Sequence, residues 1–178
     1  MERQLIPVYL ILAFVGFRML LAIFYPFFVL IHELGHAIPA RLTGRQRIRV
    51  VIGEGSETVA FILLGIRFSF GRRKLHMGYT AFQKKPSEGK FTQCIIIGTA
   101  PVISLAIAVA GVVLWKTTPL SLATYFVLAA AWLANFHIAF SALWPVGSSR
   151  SVTDLENSDN CCYQSDLRNL IDTVGKKN

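Results

Sequence analysis

Charge is what this chain has least of. Charged residues make up 16% of its 178 residues, against about 25% in an ordinary soluble domain. The deficit is deepest in acid: 10 Asp+Glu stand against 18 Lys+Arg, for a net charge of +8. Few charges and long apolar runs exclude a disordered chain and a conventional water-soluble enzyme. Cysteine is nearly absent as well. Three Cys, two of them adjacent at Cys161 and Cys162 and none in a CxxC pair, cannot build the framework of a disulfide-stapled domain. Free thiols facing a reducing compartment are expected, with zinc ligation by Cys161 and Cys162 as the lesser reading. Internal repeats and low-complexity tracts are missing, so the chain is neither an array nor a linker.

What is present is hydrophobicity. Apolar residues reach 53%, Phe alone occurs 13 times, and mean hydropathy is +0.50. That is the composition of a small integral membrane protein. The basic excess then belongs to a few polar segments. It reads as membrane topology and attraction to anionic lipid headgroups, not as nucleic-acid binding.

The first apolar block covers residues 5–43. One helix from Leu5 to Ala40 would be about 54 Å long, well beyond the hydrocarbon core of about 30 Å. The block is therefore expected to overshoot the membrane or to break into two helical pieces, at Arg18 or Pro26. The opening Met1-Glu2-Arg3-Gln4 is barely basic and no small-x-small site follows the apolar run, so a cleaved leader is not expected.

Residues 44–92 differ in kind. The stretch 41–92 carries 11 of the 18 Lys+Arg. Alternation appears in Arg47-Ile48-Arg49-Val50 and in Ile66-Arg67-Phe68-Ser69-Phe70, with a β-branched and aromatic run at Thr58–Ile62 and a further strand over Leu75–Phe82. The pattern predicts a small antiparallel meander of three or four strands, with an apolar and a basic face, lying against the membrane surface.

Two more spans follow, at 93–115 and 120–144, joined by Thr117-Thr118-Pro119. Gly98 to Pro101 is expected to break the first of these one turn in, which only a packed protein interior tolerates. Trp115 and Trp144 fit interfacial anchors. The tail, 146–178, is polar. It reads as an irregular loop to Gln164, then as a short helix capped by Ser165 with Leu167, Leu170, Ile171 and Val174 at helical spacing.

His32-Glu33-Leu34-Gly35-His36 is the sharpest chemical signal. On a helix, residues i and i+4 share a face with Cβ atoms about 5–6 Å apart. Two imidazoles there converge on one Zn²⁺ at about 2.0–2.1 Å. Glu33, one position on, reaches a water at the metal without being a ligand, as a general base must. Zn²⁺ brings the pKa of such a water towards about 7. Gly35 leaves room for another helix. Three ionisable groups within five residues of an apolar segment have no cheap structural explanation. His137, about 200° round its helix from Asn135, reads as a hydrogen-bonded bundle histidine, His76 as a surface residue, and Arg18 as a bundle or snorkelling residue.

An HExxH within a membrane helix resembles the site-2-protease-type intramembrane zinc metalloproteases. Ile31–Ala37 followed by Ala40-Arg41-Leu42-Thr43-Gly44 is similar to that family's first core helix and its exit, and the basic meander to the β-insert of its compact members. Gly98-Thr99-Ala100-Pro101 is similar to a Gly-Pro at the start of the next helix. Asn135 and Leu143-Trp144-Pro145 are similar to the Asn-containing third core helix and its Asn-Leu-x-Pro end. The resemblance implies a third zinc ligand, an Asp usually followed by Gly just beyond that helix. The chain has no Asp-Gly, and Ala142 stands where the second Asn would be. The candidates are Asp154, Asp159 and Asp166. Asp166 is preferred because Ser165-Asp166 opens an apolar-periodic helix, with Leu167 in place of the Gly; Asp154 is second. Asn135 would hydrogen-bond the substrate backbone or the oxyanion formed on attack.

The expectation is thus a mainly α membrane protein, one domain over 1–178, with three to four transmembrane helices and a β-meander inserted after the HExxH helix. Its expected work is zinc-dependent hydrolysis of membrane-protein substrates within the bilayer. His32, His36 and Asp166 would hold Zn²⁺, with Glu33 and Asn135 catalytic. The positive-inside rule puts 41–92 and the tail in the cytoplasm of a bacterial-type inner membrane, with the site towards that side. The rival is a non-catalytic membrane binding module on the same fold. A transporter is disfavoured by the small number of helices.

Overall fold

The computed structural model describes residues 6–83, 89–119 and 121–143, with short pieces at 150–151, 162–163 and 174. Among these residues three helices are long and apolar enough to cross a membrane: α1 (Ile6–Leu42), α2 (Lys90–Thr117) and α3 (Leu122–Leu143). Between α1 and α2 lie two long strands, β1 (Ile48–Leu63) and β2 (Ile66–Ala81). In the tail, expected to be irregular here, β3 (Arg150–Ser151) pairs antiparallel with β4 (Cys162–Tyr163). The expected helix start at Ser165, together with Asp154, Asp159 and Asp166, lies outside the described residues.

Of the two alternatives open for the first apolar block, the long unbroken helix holds, and the break expected in α2 does not occur. α1 is one helix of 37 residues with Pro26 and Pro39 inside it, about 55 Å long, and Arg18 sits exposed on its surface. α2 likewise runs without interruption through Gly98 and Pro101. The reason is the solvent. A helix end strands about four N–H and four C=O groups, and an apolar surrounding offers them no water. Continuing past a proline forfeits far fewer hydrogen bonds than stopping.

Packing is uneven along α1. Eight of its nine buried residues fall between Phe28 and Ala40, whereas Ile6, Leu10 and Phe14 are exposed, as a lipid-facing helix surface would be. α2 runs antiparallel to α1, with Gly35 against Ala100 and His36 beside Ile96. α3 runs parallel to α1, with Phe126 edge-on to Phe17 and His137 edge-on to Tyr25. Small residues at the contacts, Ala100, Ala130 and Ala134, are fully buried. They let backbones approach where lipid gives no hydrophobic drive to associate.

The insert is not a simple meander. β1 and β2 each fold back, giving four paired runs. Residues 59–63 pair antiparallel with 66–70, and 49–52 pair antiparallel with 78–81. Residues 48–52 and 66–70, however, run parallel, from Ile48↔Ile66 to Ile52↔Phe70. The spatial order is therefore 59–63, 66–70, 48–52, 78–81. Alternation has the same period of two in either direction, so sequence marked the runs but not their partners. The fold-back occurs where Gly53 and Gly55 hold φ of 83° and 91°, and where a Cβ on Gly71 would come within 2.6 Å of the Glu54 carbonyl oxygen. Ile48, Val50, Ile52, Ile66 and Phe68 of the two central runs are buried in the common core. The outer run 59–63 is exposed, and the other outer run, 78–81, lies on α1.

Candidate metal centre

His32 and His36 lie on the packed face of α1, one turn apart. Their rings are perpendicular, with centroids 5.3 Å apart. Two imidazoles sharing one tetrahedral metal through Nε2, at about 2.0–2.1 Å each, have centroids about 5.2 Å apart. The observed spacing matches that separation. Both histidines and Glu33 are buried.

Each ring is anchored at Nδ1 by α2. His36 Nδ1 is 2.9 Å from the Ile96 carbonyl oxygen. A carbonyl only accepts, so Nδ1 carries the proton and, in the neutral ring, Nε2 carries the lone pair that a metal takes. His32 Nδ1 is 2.9 Å from Ser104 Oγ; a hydroxyl serves either tautomer. Gly35, between the two histidines, makes this approach possible. A Cβ there would stand 2.6 Å from Ala100 Cα, so any larger residue pushes α2 away.

Glu33 faces the insert instead. Thr80 Oγ1 donates to Glu33 Oε2 at 2.8 Å and lies 3.0 Å from the Glu33 carbonyl oxygen. Gly78, on the same run, permits the contact: a Cβ there would meet Val29 Cγ1 at 2.5 Å, the Val51 carbonyl oxygen at 3.1 Å and Glu33 Cγ at 3.2 Å.

Asn135 enters from α3. Its Nδ2 donates to the Ser104 carbonyl oxygen at 2.6 Å, and it is fully buried. Among the described residues its Oδ1 has no hydrogen-bond partner, an omission that ordinarily costs about 1–3 kcal/mol in a protein interior. Asn135 thus joins the residue that touches His32. The described residues contain no group of three or more His, Cys, Asp or Glu placed to hold a metal; the expected third ligand lies outside them. Cys94 is a free thiol. His76 and His137, which sequence separated, flank the same ring: Tyr25 meets them edge-on at centroid distances of 6.2 and 5.7 Å.

Sequence reading missed Ser104 and Thr80. A hydroxyl inside an apolar span was a signal for Ser104. Nothing in the sequence ties Thr80 to Glu33, 47 residues away. No protein-family model matches the chain, and no curated protein matches it significantly.

Proposed function

We propose that the protein is an intramembrane zinc metalloprotease of the site-2-protease type, hydrolysing peptide bonds in or near the membrane-spanning segments of other proteins. The observation that carries this reading is the buried HELGH turn, with both imidazoles anchored at Nδ1 and the carboxylate between them held from the opposite side. Buried imidazoles need hydrogen-bond partners in any role; what favours metal here is that both partners sit at Nδ1 of rings one helical turn apart, beside a carboxylate.

His32 and His36 would hold the zinc ion, and a tail carboxylate, Asp166 with Asp154 as the alternative, would complete three protein ligands. Zinc, when bound, supplies Lewis acidity for the scissile carbonyl and for water. Glu33 takes a proton from the attacking water as its oxygen bonds to the carbonyl carbon. It delivers that proton to the amide nitrogen as the C–N bond breaks. Asn135, with a buried acceptor to spare, receives a substrate backbone N–H. An outer run of the insert holds the unwound substrate by strand addition; 78–81 is the outer run beside Glu33.

Depth in the bilayer agrees with this role. Ser104 lies thirteen residues before Thr117, and Asn135 thirteen after Leu122. Both are therefore about 20 Å from the turn joining α2 to α3, leaving about 10 Å to the far face of a core about 30 Å thick. The far face is the one that carries the insert. With 11 of 18 Lys+Arg in 41–92 and only Lys116 in the turn, that face is cytoplasmic.

The test is the Glu33→Gln variant. About one zinc per chain in both proteins, with cleavage of a co-expressed membrane protein abolished in the variant, is expected. Undiminished cleavage by Glu33→Gln would remove the base. The second reading, a binding module with a degenerate zinc site, is favoured by Ala142 and by Leu167 in place of glycine. It predicts zinc without cleavage in the wild type.

A further inference from the structure

We infer that Ser104 is a positioning residue of the metal centre, pinned by Asn135, so that α3 fixes the ligand geometry of α1 through α2. The inference rests on the metalloprotease reading above. Its starting point is a contrast within one helix. Thr99 and Thr117 of α2 each donate to the carbonyl four residues back, Ile95 and Val113, the usual destination of a hydroxyl in an apolar helix. Ser104 Oγ meets His32 Nδ1 instead, across 72 residues of sequence. It does so with no exposed surface at all. The same residue accepts the Asn135 Nδ2 hydrogen bond on its carbonyl oxygen at 2.6 Å. One residue of α2 is thereby tied to a histidine on one side and to α3 on the other.

The chemistry gives this chain of contacts a purpose. A histidine that binds metal through Nε2 keeps its proton on Nδ1, and that N–H needs an acceptor. His36 uses the Ile96 carbonyl, a backbone atom that no substitution deletes. His32 uses the Ser104 hydroxyl, a side-chain atom that one substitution deletes. The two ligands are thus held by acceptors of different kind. Loss of Ser104 Oγ would remove the hydrogen bond described at His32 Nδ1 and weaken the hold on the ring. The Asn135 amide is thus committed to Ser104 through Nδ2, while its Oδ1 has no partner among the described residues.

The experiment uses the full chain purified in detergent. Zn²⁺ and Co²⁺ affinities are measured by chelator competition, and the ring nitrogens of His32 are followed by nitrogen-15 NMR. Ser104→Ala is expected to weaken metal binding about 10- to 100-fold and to shift His32 away from the Nδ1–H tautomer. Ser104→Thr, which keeps the oxygen, is expected to restore both. Asn135→Ala should move both readouts in the same direction by less. Wild-type affinity and an unmoved His32 spectrum in Ser104→Ala would overturn the inference. So would failure of Ser104→Thr to restore binding while its helical content and thermal unfolding match wild type. Absence of metal from the wild type would instead sink the metalloprotease reading, and the positioning role with it.

Discussion

The HELGH turn is held from two sides by unlike neighbours. On one side α2 fixes the histidines, through a backbone carbonyl and a serine, with Gly35 closing on Ala100. On the other side the β-insert fixes the glutamate, through Thr80, with Gly78 closing on Val29. Both contacts depend on a glycine, but for different stakes. At Gly35 the obstructing atoms are backbone, which cannot give way. At Gly78 the nearest is the end of a valine side chain, which can. On the proposed reading, the metal ligands would be built into the helix pair and the base into a more forgiving sheet contact. Metal binding and proton transfer should be separable by mutation.

The largest effect is expected from Gly35→Val. Its Cβ falls 2.6 Å from Ala100 Cα. Overpacking of this kind costs up to about 3 kcal/mol, here with loss of metal, read by thermal unfolding and metal analysis. Retention of full metal content would mean that α2 does not set the histidine geometry. Gly78→Val should cost about 1–2 kcal/mol, keep the metal and lower turnover, since the sheet must shift off Glu33. Loss of metal with it would erase the distinction between the two sides. Thr80→Val should cost about 1–3 kcal/mol of stability, keep the zinc and slow cleavage about 10- to 100-fold. That is the range for a lost hydrogen bond to a charged group. A stoichiometric zinc site with an unaltered rate would show that Glu33 needs no support from the insert.

The smallest effect is expected on the sheet away from α1. The Ser69 hydroxyl first, then Arg67 and Arg49, hold the Glu57 carboxyl below the ordinary carboxylate range. A carboxyl whose pKa is lowered by folding adds stability above its unfolded pKa and loses it as pH falls through its folded pKa. The small stability gap between wild type and Glu57→Gln should thus be full at neutral pH and close on acidification. The pair is exposed, so the gap is small throughout, and neither zinc content nor cleavage should change. A change in either would tie the outer sheet to the centre and blur the two-sided picture.

Much of the architecture was legible in the residues. Three apolar runs marked three helices because a bilayer demands uninterrupted apolarity over a set length. The HELGH spacing marked two imidazoles on one face because helical period is local geometry. The four strand runs were visible as alternation and β-branched stretches. The sequence left open whether α1 continues past Pro26, and the continuity of α2 past Pro101 was not legible. Proline's cost is local, whereas the cost of the alternative, an open helix end in lipid, belongs to the surroundings. The parallel pairing of 48–52 with 66–70 was hidden for a similar reason, since alternation carries no information about direction.

By itself, then, the sequence determined the solvent of this protein, the number of its long apolar helices and the turn that bears its ionisable groups. Each of these is a property of neighbours along the chain. Only the tertiary structure decided which atoms hold that turn. Ser104 reaches His32 across 72 residues, Ile96 reaches His36 across 60 and Thr80 reaches Glu33 across 47. Such contacts depend on crossing positions of helices and on a sheet's fold-back. Those are set by where glycine and alanine let backbones meet, and no local pattern of the interacting residues encodes them.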